Sequence, residues 1–205
     1  QVLAPEFNPI YEEIHRKWRA YPQKFLAWHN NQNRTTYDQL QVLIMSGAPK
    51  PNELTNSVGM RALLGDTNAV YQYFVSNAAD VVNCIVNLES SQVAGNLKRK
   101  GLLNFLKTAG NNKLIYFSGH GGRGVLKLGG GVEFSWVDLE VCLLKAAFNG
   151  ALTLVLDTCL SATWVQLCHE QAVDMDSPMN RKLGKLKLTI WASCKPGEAS
   201  YVGDS

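Results

Sequence analysis

Five short, almost uninterrupted apolar runs constrain this chain more than any other feature. They are "LQVLIMSGA" (40–48), "VVNCIVNL" (81–88), "KLIYFSG" (113–119), "ALTLVLD" (151–157) and "KLTIWAS" (187–193). Each has the length of a strand, and a strand apolar along its whole length needs both faces covered. Between them lie stretches with helical spacing: "GMRALLGDTNAVYQYFVSN" (59–77), "QVAGNLKRKGLLNFLKTAG" (92–110) and "SWVDLEVCLLKAAFNG" (135–150). Gly110 reads as the C-cap of the second helix. Ser135 reads as the N-cap of the third, with Asn149-Gly150 ending it. "GVLKLGGGVEFS" (124–135) predicts a hairpin whose turn is built on three glycines. Strand–helix alternation of this kind predicts an α/β fold: a mostly parallel central sheet with helices on both faces.

The bulk properties narrow the rest. A length of 205 residues suits one domain, and 46% hydrophobic with 18% charged residues is ordinary for a globular protein. A net charge of +3 gives no ground for a nucleic-acid or membrane-surface partner. The basic run "RKLGKLK" (181–187) reads as a solvated loop. Five cysteines, an odd number without metal-ligand spacing, argue against a disulfide framework or a zinc site and predict a reducing, cytoplasmic compartment without a cofactor. No secretory signal is visible, and no apolar run spans a bilayer. Residues 1–37 carry Trp18, Tyr21, Phe25 and Trp28 and read as a helical accessory segment broken near Pro22, with His15 and His29 on its surface. The domain proper is expected over 38–205.

In parallel sheets, ligands sit beyond the carboxyl ends of the strands. His120 directly follows the third run, in "FSGHGG", and Cys159 directly follows the fourth, in "LVLDTCLSA". Two separately encoded residues are thereby expected on one rim. A thiol attacks a carbonyl as thiolate, and a neighbouring imidazole can take its proton. Gly119, Gly121 and Gly122 would let the backbone approach a substrate, with the Gly121 and Cys159 N–H groups aimed at a developing oxyanion. Taken singly, a Gly-His-Gly is also a turn and a cysteine after a strand is also a core residue; their joint placement favours chemistry. Cys84 reads as a core residue, and the adjacent Cys168 and His169 as structural.

"LIYFSGHGG" followed by "LVLDTCLSA" resembles the caspase-like cysteine peptidases, a group that includes caspases, metacaspases, legumains and gingipains. "WASCKPGEASYVGD" and "LLGDTNAVYQYF" extend the likeness toward metacaspase- and legumain-like members, over roughly 40–204. The resemblance implies a three-layer sandwich and hydrolysis of a peptide bond. It makes His120 the general base and acid, Cys159 the nucleophile, and the N–H groups of Gly121 and Cys159 the oxyanion hole. Asp157 takes the acidic position two before the nucleophile, Ser200 lines the substrate pocket, and Asp204 is its floor. Three departures stand out. Ala162 occupies a position that is usually glycine. The acidic insertion of calcium-dependent metacaspases is absent between His120 and Cys159. Only a short stretch follows the fifth run, where the family has a sixth strand: either a second chain or fragment completes the sheet, or that strand is lacking here.

Carboxylates at Glu198 and Asp204 favour a basic residue before the scissile bond, while Arg61 and Arg123, reaching in from other loops, would favour an acidic one. The family is often matured by cleavage between the fourth and fifth strands. "HEQAVDMDSPMNRKLGK" (169–185) reads as an exposed linker there, with Arg181, Lys182 or Lys185 as the processing site of a zymogen. Two alternatives remain open: a peptidase cutting after Asp or Asn, and a catalytically silent scaffold acting as an interaction module. A nucleotide-binding α/β protein is disfavoured, because no Gly-rich phosphate loop follows the first run.

Overall fold

The structure is a computed structural model, and it describes residues 40–48, 57–76, 81–86, 89–146, 148–195 and 197–199. Residues 1–37, Ser200 and Asp204 lie outside that set, as does the side chain of Arg61.

All five apolar runs form strands, and they pair in parallel in one sheet. These are β1 (Leu40–Ser46), β2 (Val81–Ile85), β3 (Asn112–Ser118), β7 (Ala151–Asp157) and β8 (Lys187–Ala192), in the spatial order β2-β1-β3-β7-β8. A second, antiparallel sheet contains β4 (Gly121–Gly122), β5 (Val125–Gly129) and β6 (Val132–Ser135). The hairpin turn does rest on three glycines: Gly129, Gly130 and Gly131 all have positive φ, which a side chain would resist.

Both faces of the parallel sheet are covered. On one, α1 (Ser57–Ser76) packs Leu64 and Tyr71 onto Val42, Ile44, Cys84 and Tyr116. The larger core fills the other face under α2 (Gln92–Lys107), α3 (Trp136–Lys145), α4 (Ala162–Val173) and α5 (Pro178–Leu183), with Leu102, Leu106, Leu143, Trp164 and Met179 fully buried. Ser135 caps α3 as expected, and Asp138 closes a capping box with it.

Four sequence expectations need correction. Gly110 does not cap α2. The helix stops at Lys107 with Thr108 as its C-cap, and its last carbonyls are taken by a buried lysine instead of a glycine turn. Lys113 Nζ donates to the carbonyls of Phe105 (2.7 Å) and Thr108 (2.5 Å). Nor does α3 reach Asn149-Gly150: it ends at Lys145, and Lys182 Nζ holds the carbonyls of Ala146 (3.0 Å) and Phe148 (2.6 Å) beyond it. The stretch 169–185 is exposed over most of its length, as expected, but it is largely helical and not an open linker. Most of it lies in α4 and α5, Ser177 caps α5 with Pro178 at its start, and Met179 is anchored in the core. The run at 181–187 spans the end of α5, the turn at 184–186 and the first residue of β8, so only its middle is a loop.

Candidate active site

The site grows from the β3–β7 ladder, which runs in register from Asn112↔Ala151 to Ser118↔Asp157. His120 and Cys159 each lie two residues beyond that last rung, so both leave the sheet at the same height on neighbouring strands. Gly119 carries the pairing one step further, donating its N–H to the Asp157 carbonyl at 3.1 Å. Its φ of +150° and the contact a Cβ would make with Gly47 Cα, at 2.8 Å, require glycine.

Beyond it the chain is pinned. The His120 carbonyl accepts Lys127 N–H at 2.9 Å, and Gly121↔Leu126 follows as the next pair. That bond makes Gly121↔Leu126 a non-hydrogen-bonded pair, so the ladder does not consume the Gly121 N–H. A Cβ on Gly121 would lie 2.1 Å from Thr158 Oγ1 and 2.9 Å from the Cys159 carbonyl oxygen, which measures how closely this backbone lies against the turn carrying Cys159.

That turn is clamped from behind. Thr158 N–H donates to Ser193 Oγ (3.2 Å), and Leu160 N–H donates to the Glu198 carbonyl (3.0 Å). Cys194 N–H donates to Ser161 Oγ (3.2 Å), and the Cys194 thiol lies 3.3 Å from both the Thr158 and Glu198 carbonyls. Leu160 sits at φ 57°, the single positive-φ residue other than glycine among the described residues. A branched side chain in that region is strained, and strain of this kind collects at sites the surrounding structure over-determines. The N-terminus of α4 begins three residues past Cys159. Cys159 and His120 are both half-buried, reachable from solvent. Cys84, by contrast, is buried, and burial pushes its thiol up to about 12; Cys142 and Cys168 are raised by burial as well.

On the opposite face from the Thr158 side chain, Asp157 shares the α1 side of the sheet with Tyr116 and Ser118. Asp66 of α1 comes close to it: burial first, then the Asp157 charge, raises the Asp66 carboxyl above its ordinary range. Burial, Asp157 and Asp66 together push the Tyr116 hydroxyl up to about 12. No described residue forms an ion pair with either carboxylate. Glu198 reaches the site through its main chain, while its carboxylate holds Lys195 N–H at 3.3 Å. Arg123 is exposed on the β4–β5 turn. Arg181 and Lys185 are exposed, whereas Lys182 is occupied under α3.

The sequence reading missed Asp66, Ser161, Ser193 and Cys194. Only the third dimension joins them to the site: Ser161 and Cys194 meet across 33 positions, and Asp66 sits on a helix otherwise legible only by its apolar spacing. Among the described residues there is no cluster of three His, Cys, Asp or Glu side chains able to hold a metal. Among them, too, no helix is long and apolar enough to cross a membrane. No protein-family model matches the chain, and a comparison with curated proteins returned no match.

Proposed function

We propose that the chain is a cysteine endopeptidase of caspase-like build, acting through a His120/Cys159 dyad on protein or peptide substrates. The observation that carries this reading is the shared register of β3 and β7, which sends an imidazole and a thiol off one rim at equal height. In the reaction, His120 takes the thiol proton as Cys159 Sγ attacks the scissile carbonyl. The carbonyl oxygen becomes an oxyanion between the N–H groups of Gly121 and Cys159. His120 then returns the proton to the leaving amine, and water hydrolyses the thioester with His120 again as base.

Asp157 and Asp66 support a basic residue before the scissile bond: two neighbouring carboxylates without a described cation suit Arg or Lys and repel an acidic side chain. Ser200 and Asp204 are assigned to the same pocket from the resemblance. Lys185, exposed in the turn between α5 and β8, is the processing site that best fits the helical structure of 169–185. The outer edge of β8 has no strand beside it among the described residues, which supports a second segment or chain completing the sheet. The five cysteines form no disulfide, which supports a reducing, cytoplasmic setting.

Labelling with electrophilic peptide probes carrying Arg, Asn or Asp at the reactive end tests the assignment. Arg-probe modification of Cys159, lost in Cys159→Ala and His120→Ala, is expected. A folded protein that no probe labels acts instead as a scaffold.

A further inference from the structure

We infer that Cys194 is the positioning residue of the proposed oxyanion hole: its thiol holds the Thr158 carbonyl and thereby aims the Cys159 N–H into the cleft. The inference rests on the peptidase reading above and names the group that stands behind one of its two donors.

Peptide geometry carries the first part. A peptide unit is planar and trans, so its C=O and N–H point in opposite directions. The Thr158 carbonyl and the Cys159 N–H belong to one such unit. Cys194 Sγ lies 3.3 Å from the Thr158 carbonyl oxygen, so the Cys159 N–H leaves the unit on the side away from Cys194. The units on either side are held as well. Before it, the Thr158 N–H donates to Ser193 Oγ at 3.2 Å. After it, the Leu160 N–H donates to the Glu198 carbonyl at 3.0 Å, while the Cys159 carbonyl faces Gly121. Three consecutive peptide units around the nucleophile are thus gripped from one short stretch, 193–198, just past β8.

The anchoring of Cys194 carries the second part. Ser193 N–H prolongs the β7–β8 ladder by donating to the Leu156 carbonyl at 3.1 Å. Cys194 N–H donates to Ser161 Oγ at 3.2 Å, and its sulfur lies 3.3 Å from the same oxygen, on a serine that is fully buried. The thiol has one proton and faces two carbonyls at equal distance, those of Thr158 and Glu198, each 3.3 Å away. It therefore joins the unit that carries the Cys159 N–H to the carbonyl that holds the Leu160 N–H. A hydrogen bond donated to an amide carbonyl polarises the amide and strengthens the N–H at its other end.

The reaction gives this arrangement its use. As Cys159 Sγ bonds to the scissile carbon, the carbonyl π pair moves onto oxygen and the thiol proton passes to His120. The new oxyanion is stabilised most by a donor that already points at it. Cys194 touches neither substrate nor reacting atoms and acts through the peptide unit alone.

The test compares the full chain as wild type, Cys194→Ala and Cys194→Ser in three assays. The first is steady-state hydrolysis of an arginine peptide. The second is inhibition by a peptide aldehyde ending in arginine, whose carbon bonds to Cys159 Sγ and whose oxygen enters the oxyanion hole. The third is alkylation of Cys159 by iodoacetamide, which needs no such hole. Cys194→Ala is expected to lower kcat and weaken the aldehyde by about 10- to 100-fold, with KM moved by less than about 3-fold and the iodoacetamide rate unchanged. Cys194→Ser, whose hydroxyl donates to the same carbonyls, should recover most of the loss. Unchanged kcat in Cys194→Ala, a serine variant as poor as alanine, or an equal loss with iodoacetamide overturns the inference. Should Cys194→Ala not fold, Cys194→Val, close to cysteine in volume and without a donor, takes its place. Failure of the peptidase reading looks different: the wild type itself neither hydrolyses the peptide nor binds the aldehyde, and the inference falls with it.

Discussion

Ser118 and Asp157 form the last rung of the β3–β7 ladder. Because β3 and β7 are in step along their whole length, residue 120 and residue 159, each two past its strand's last rung, are equivalent positions. A slip of one residue would turn one of the two side chains to the other face of the sheet. The Gly119 N–H bond to the Asp157 carbonyl fixes that step beyond the strand ends.

The tight fit of Gly121 gives the first prediction. Gly121→Ala places a Cβ against Thr158 Oγ1 and the Cys159 carbonyl, and the carbonyl cannot retreat without moving the turn that carries Cys159. The variant should lose about 1–3 kcal/mol of stability in urea unfolding. It should also label Cys159 at least about 10²-fold more slowly, since displacing one donor of the proposed oxyanion hole costs that much. Gly131→Ala, where a Cβ meets nothing within 4 Å but φ is +77°, serves as the comparison and should leave labelling unchanged.

The clamp behind the turn gives the second. Ser161 is fully buried, and its hydroxyl serves the Cys194 N–H and thiol. Ser161→Ala leaves that N–H unsatisfied and should cost about 1–2 kcal/mol. Because Leu160 is held at positive φ by the same frame, kcat should fall more than KM rises. Parallel urea unfolding and steady-state kinetics read both effects; a stability loss with unchanged kcat would mean that the clamp does not position Cys159.

These features divide sharply in how legible they were. The strands could be read because a strand buried on both faces is apolar without a break, a signal local to each segment. His120 and Cys159 followed from one topological rule applied at two strand ends. α5 could not be read correctly, because Pro178 signals both a loop and a first helical turn, and only the burial of Met179 separates them. The ends of α2 and α3 were misjudged for a related reason. Glycine is one way to close a helix, and here Lys113 and Lys182 reach back from distant segments to take the last carbonyls. Asp66 and Cys194 join the site only through tertiary contact.

Asp66 supplies the third prediction. Its carboxyl is raised by burial and by Asp157, so the folded protein binds that proton more tightly than the unfolded chain does. Its contribution to stability is therefore largest at low pH, and declines as pH rises from the ordinary carboxylate value through the raised folded one. Asp66→Asn removes the repulsion. It should raise the urea midpoint at pH 7, flatten this part of the pH profile, and lower kcat/KM on an Arg peptide by about 10-fold. A variant of unchanged stability and activity would remove Asp66 from the pocket.

Lys98 supplies the fourth, on the helix that covers the other face of the sheet. It is fully buried on α2 without a hydrogen-bond partner, and burial pulls its amine down from 10.5 to about 7. The unfolded chain holds this proton more tightly, so protonation favours unfolding. Stability should rise between about pH 7 and pH 10.5, where the unfolded state is charged and the folded one is not. Lys98→Met should stabilise the protein by about 1–3 kcal/mol at pH 6, with the gain shrinking toward pH 10. Urea midpoints across that range check the slope, and a gain independent of pH would mean that the amine is solvated in the fold.

The central claim is that one imidazole and one thiol serve one cleft. Its most direct test is the labelling rate of Cys159 by an electrophilic peptide ending in arginine, measured by intact and tryptic mass spectrometry on wild type and on His120→Ala. The account predicts a single adduct on Cys159 in the wild type and a rate lower by about 10²-fold or more in the folded His120→Ala variant. Equal rates in the two proteins, or an adduct on Cys194 or Cys168 in place of Cys159, would contradict it.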